Sequence, residues 1–305
     1  MQRKRNDPRA KAAILATWVS LLCLGALFLG PGSASATGTI RWDRVINASP
    51  GALSAKDKSR AAGLMKKITV YYGCSDTVAA CLRSDPDCQT ARRLAGLIVR
   101  AVQAGRTDAW IGEEVKHRSV SAHPFKTHRF NLTARPRSGA PAERAKVTVV
   151  EFADFECPFC RVISPHVKSA VIALASQGVS LVYKHFAVST HPQAEGAGRA
   201  AWAAHQQGRF WPYHDILYKN APRLSASNLE SYARAVGLDM AAFRAARDSQ
   251  RSSLLLAADK REGLKAGVQG TPTFFINGKM YRGRKDATEF KDRLEEELHL
   301  VGGGR

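Results

Sequence analysis

Residues 146–155, KVTVVEFADF, form a near-continuous β-branched and apolar run that leads into Cys157-Pro158-Phe159-Cys160. Such a run reads as a strand buried on both faces, and a strand of that kind needs a sheet covered by helices. The segment 160–178, CRVISPHVKSAVIALASQG, is helical in pattern, with Pro165 expected to kink or interrupt it. Pro158 suits a first helical turn, so Cys157 falls where strand gives way to helix. A second strand, VSLVYKHFAV (179–188), and a long amphipathic helical block follow. GTPTFFING and KMYRGR then form a strand pair around Asn277-Gly278, a type I′ turn signal. A last helix begins after Asp286 as its N-cap. The order is that of an α/β domain.

Upstream, the pattern changes. A basic start, MQRKRNDPRAK, precedes the apolar run 12–30 and a small-residue stretch with Ala34 and Ala36, which together read as an export signal over 1–36, cleaved after Ala36. The apolar run is also long enough for an uncleaved membrane anchor. Either way the expected location is periplasmic or otherwise extracytoplasmic. Residues 37–60 lack periodicity and read as a flexible tether. Residues 61–122 read as a small helical region: Leu94, Leu97, Ile98 and Val102 share a helix face, and Gly105 ends it. The main domain is expected over 126–301, with its helical insertion at about 190–266. The formal charge of +20 is scattered, with no basic run interleaved with aromatics, so no nucleic-acid role is expected.

Of six cysteines, Cys23 lies in the leader. In an oxidising compartment the other five are a redox inventory, and an odd number leaves at least one thiol outside a stable intrachain pair. Two of Cys74, Cys81 and Cys88 are expected to form a structural disulfide, with the third available as an electron relay. Cys157 and Cys160 have no second Cys-x-x-Cys to complete a zinc site, so no metal is expected there. A disulfide closing so short a loop removes little chain entropy, which makes it a poor staple and a good switch. At a helix N-terminus, free N–H groups favour a thiolate at Cys157. Cys160, one turn in, would be the buried resolving thiol. Glu151 and Lys184 are charges inside apolar strands. Each either snorkels at an edge, or the two form a buried acid–base pair beneath Cys160.

The stretches VVEFADFECPFC, VYKHFAVSTHPQAEGAGRAAWAA, GRFWPYHDILYKN and GVQGTPTFFING together resemble the DsbA-type branch of the thioredoxin superfamily. The resemblance implies a thioredoxin-like fold with a helical insertion, preceded here by the small α-helical region. It implies a thiol:disulfide oxidoreductase that needs no organic cofactor. Cys157 maps to the nucleophile, Cys160 to the resolving thiol, and Pro272 to the cis-proline beside the site. Glu151 maps to the buried acid and Lys184 to its partner. Thr271, Phe159 and Pro158 fall where substrate is met, with Thr271 pairing in β fashion to a substrate peptide. The implied partners are cysteine-bearing exported proteins and a membrane redox protein that resets the pair. Self-association through the N-terminal region is compatible with the pattern. The family's strongest oxidants carry His where this chain has Phe159, and Thr before the cis-proline is common among its reductases and isomerases. An oxidase, a reductase or isomerase, and a non-catalytic peptide-binding module therefore all stay open on the sequence.

Overall fold

The computed structural model describes residues 38–303, so the expected leader lies outside the described residues. Among the described residues no helix is long and apolar enough to cross a membrane. Four helices come first: α1 (Ala55–Met65), α2 (Val78–Ser84), α3 (Gln89–Gln103) and α4 (Asp108–Ala122). Ser54, Thr77 and Thr107 cap α1, α2 and α4 by accepting the backbone N–H three residues on. The apolar face of α3 forms the centre of this region's core, with Leu94, Leu97, Ile98 and Val102 all buried.

Residues 38–60, expected as a tether, are folded. Two short 3₁₀ turns precede α1, and Ile40, Trp42, Val45 and Leu53 pack on the same core. The chain lies against α3 at Gly96, where an added Cβ would meet the Ile46 carbonyl at 2.1 Å. Irregular single pegs of this kind leave no period to read, which is why the sequence looked unstructured.

The sheet has the order β1-β3-β2-β4-β5. Its strands are β1 (Arg137–Gly139), β2 (Val147–Ala153), β3 (Val179–His185), β4 (Thr273–Ile276) and β5 (Lys279–Met280). β2 and β3 run parallel, and the other neighbours pair antiparallel. Asn277 and Gly278 both have positive φ, 49° and 76°, in the two-residue loop between β4 and β5. Gly278 is required twice, because a Cβ there would also strike the His128 carbonyl at 2.1 Å.

Alternation along β2 divides the core. Val147 and Val149 face α5 (Pro158–Ala173) and α11 (Ala287–Val301), packing with Ile163, Val167, Phe290 and Leu294. Val150 and Phe152 face the other way, toward Phe186, Val268 and Phe275. α5 runs unbroken through Pro165. The helical insertion comprises α6 (Ala194–Gln206), α7 (Phe210–Asn220), α8 (Ala226–Ala235), α9 (Met240–Asp248) and α10 (Gln250–Lys265). Trp202 and Phe210 are buried within it.

The N-terminal helices join the sheet domain in one compact unit. The junction is a buried ion network on α11. Arg93 and Arg118 each reach Asp292 at 2.6 Å, Arg100 reaches Glu289 at 2.5 Å, and Tyr71 donates to Glu296 at 2.6 Å. Asn47, from the supposed tether, donates to Asp292 as well, at 2.7 Å.

Candidate functional site

β2 ends at Ala153, and the chain turns through Asp154 into α5. Asp154 is buried and makes that turn: one carboxylate oxygen accepts the Glu156 and Cys157 backbone N–H groups, the latter at 2.7 Å. Its other oxygen accepts from Val188 N–H and His191 Nδ1, the latter at 2.9 Å. Cys157 is the N-cap of α5 and Pro158 its first residue. The Cys157 Sγ lies 3.3 Å from the Thr271 carbonyl, and the Thr271–Pro272 peptide bond is cis. The Pro272 carbonyl in turn accepts from Lys285 Nζ at 2.7 Å. Cys157 is 2% exposed, Cys160 is fully buried, and Phe159 between them is 72% exposed. Both cysteines are free thiols.

The electrostatics separate the two sulfurs. A hydrogen bond from Cys160 lowers the Cys157 pKa to about 5 against the cost of burial, aided by Thr271 and the backbone N–H groups of Cys160 and Phe159. Burial pushes Cys160 well up, and Cys157 and Glu151 add to the rise. Burial pulls His191 down, but Asp154 and Cys157 hold it above its ordinary value. Lys285 is lowered by desolvation, which both cysteines oppose.

Glu151 lies on the α5 side of β2 and is fully buried. It accepts a hydrogen bond from the Ser164 hydroxyl, while its Oε2 has no partner among the described residues. Burial therefore pushes its pKa up to about 7. Lys184 does not pair with it. The β2–β3 register sets Glu151 opposite Tyr183 and Phe152 opposite Lys184, so Lys184 points to the other face. There it meets Asp259 at 2.6 Å and Glu262 at 2.5 Å, a structural anchor for α10.

Four contributors are not legible in the sequence pattern. Asp154 was hidden inside the apolar run. Ser164 sits one helical turn beyond Cys160, a spacing that could have found it. Tyr183 and Tyr218 close the floor, their hydroxyls 3.3 Å apart, with Tyr218 also donating to the Asp154 carbonyl at 3.3 Å. In the N-terminal region the disulfide is Cys74–Cys81. Cys88 is a buried thiol whose pKa is raised by burial, which disfavours the relay role. Among the described residues no cluster of His, Cys, Asp and Glu could hold a metal ion.

A family model described as thioredoxin matches residues 137–296. The chain is 39% identical over 140 residues to a Na(+)/H(+) antiporter NhaA 3 of Salinispora tropica, covering 46% of this chain and 21% of that protein. It thus spans about a fifth of the length of the curated relatives it matches. A thioredoxin-like oxidoreductase from Silicibacter pomeroyi is 29% identical, with TM-score 0.49, covering 54% of this chain and 92% of that one. BdbD from Bacillus subtilis is 22% identical, with TM-score 0.48, covering 56% and 97%. The chain belongs to the thioredoxin family.

Proposed function

We propose that this thioredoxin-family chain is an extracytoplasmic protein thiol:disulfide oxidoreductase of the DsbA type, working as an oxidant. The observation that carries the reading is Cys157 itself: a capping thiol, against the cis Thr271–Pro272 bond, with its pKa held at about 5. A low pKa stabilises the dithiol, about 1.4 kcal/mol per unit, and so makes the disulfide the stronger oxidant.

In the oxidised state a substrate thiolate attacks the Cys157 sulfur of the Cys157–Cys160 disulfide. A mixed disulfide forms and Cys160 leaves as a thiolate, which takes a proton from Glu151, the acid beneath it. A second substrate thiolate attacks the substrate sulfur of the mixed disulfide and expels Cys157, which leaves as a stabilised thiolate. The substrate loses two electrons to the cysteine pair, and a membrane redox protein takes them away. Substrates are cysteine-bearing exported polypeptides, held beside Thr271 by β-type pairing.

A second reading, reductase or isomerase, is favoured by Phe159 and Thr271, since Phe159 offers the thiolate no side-chain donor, only its backbone N–H. Equilibration of the purified protein with glutathione buffers decides between them. A potential well above thioredoxin's value of about −270 mV is expected, and one at or below it would sink the oxidant reading. Cys160→Ala is expected to accumulate mixed disulfides with exported proteins on Cys157. If none can be captured, substrate turnover is refuted.

A further inference from the structure

Beside Thr271 opens a groove of about 1020 Å³ that the catalytic domain does not build alone. One wall is Phe159, Val162 and the 270–273 segment, and the opposite wall is the end of α4 and the loop after it, including Val120, Phe125 and Lys126. Four of the eight large hydrophobic side chains exposed in the described residues are these: Val120, Phe125, Phe159 and Val162. Phe125 is fully open to solvent. Such a concentration of exposed apolar surface marks an interaction site.

The groove also carries a charge of one sign. Lys126, Arg282 and Lys285 line it, and no Asp or Glu does. Among the described residues none of the three is paired with a carboxylate; Lys285 is held by the Pro272 carbonyl, and Arg282 donates only its backbone N–H, to Ser121. The buried Arg93 and Arg118, by contrast, are both paired with Asp292. With no acid lining the groove, these three cations give it a local positive charge. The net charge of +20 gives the whole chain a field of the same sign.

We propose that the N-terminal helical region completes a substrate groove selective for extended cysteine-bearing segments that combine apolar side chains with a carboxylate near the cysteine. The apolar side chains lie on Phe125, Phe159 and Val162, and the carboxylate meets Lys126 and Arg282. The inference rests on the oxidoreductase reading and adds the substrate class.

The test uses the full exported chain and two cysteine peptides that differ only in glutamate or lysine flanks. The acidic peptide is expected to be oxidised about fivefold more efficiently at low salt, with the preference collapsing at high salt. Lys126→Glu with Arg282→Glu should invert the preference, its fold checked by thermal melting. Equal rates for the two peptides, or a preference that survives the double reversal, would overturn the proposal. Exchange with dithiothreitol separates the two failures. If the wild type exchanges with this small dithiol yet shows no peptide preference, only the groove inference falls. If it does not exchange at all, the oxidoreductase reading falls, and anisotropy of the labelled peptides on Cys157→Ser protein then decides the groove by itself. Loss of binding to phosphatidylglycerol vesicles in the double reversal, with peptide binding intact, would assign this face to a membrane and overturn the proposal.

Discussion

Glu151 under the cysteines and Asp292 at the junction with the N-terminal helices are both buried, yet their surroundings drive them in opposite directions. Burial would raise both. At Asp292 two guanidinium groups, Arg118 and Arg93, outweigh it and hold the carboxyl down at about 2. At Glu151 a single serine hydroxyl is the only hydrogen-bond partner among the described residues, burial wins, and the pKa is pushed up to about 7. The first arrangement is a clamp, since no pH near neutrality changes its charge. The second is a proton store, since its charge is decided near neutrality. The difference is one of counter-charge, not of depth.

The largest effect is expected from breaking the clamp. Asp292→Ala removes the acid that two buried arginines share, leaving Arg93 with Glu295 and Arg118 with Glu296 and Glu289, and should cost about 3 kcal/mol in chemical denaturation. The contribution of Asp292 is full above pH of about 4 and fades as pH falls toward about 2, because its folded pKa is the lower one. Stabilities of wild type and Asp292→Asn should therefore converge in acid. A gap that stays constant down to that range would contradict the network.

Glu151→Gln should act with the opposite sign. The folded pKa of Glu151 lies above its unfolded value, so ionisation penalises folding, negligibly below pH of about 4 and fully above about 7. The substitution is expected to stabilise the reduced protein by about 2–3 kcal/mol at pH 8 and to leave it unchanged at pH 4. Destabilisation at pH 8 would mean that Glu151 has a counter-charge after all.

The same variant should slow disulfide exchange about tenfold at neutral pH and remove the inflection near pH 7 from the rate profile. A profile that keeps the inflection would move the proton-transfer role to another group. Smallest is the effect of His191→Ala. Removing the cation held by Asp154 should raise the Cys157 pKa by about half a unit, read from thiolate absorbance. No change would confine His191 to shaping the turn.

Most of the site could be read from local pattern. The apolar run, Pro158 and the cysteine spacing place Cys157 at a strand–helix junction, because capping and helix starts depend on neighbours a few residues apart. Asn277-Gly278 specified its hairpin for the same reason. Lys184 went astray because a strand alternates with period two, and the face a residue takes depends on the register of its partner strand. Its acids, Asp259 and Glu262, lie far along the chain on α10.

By itself, then, the sequence determined the order of elements from β2 to α11 and the reactive pair, both of which follow from short-range periodicity and turn chemistry, but not the edge strand β1. Only the tertiary structure decided that residues 38–60 are folded, that Glu151 stands without a base, and that the N-terminal helices wall the groove beside the cysteines. Those outcomes depend on contacts between distant segments, such as Asn47 with Asp292 or His128 with Gly278. Such contacts are fixed by register and by the pairing of buried charges, and neither leaves a period in the chain.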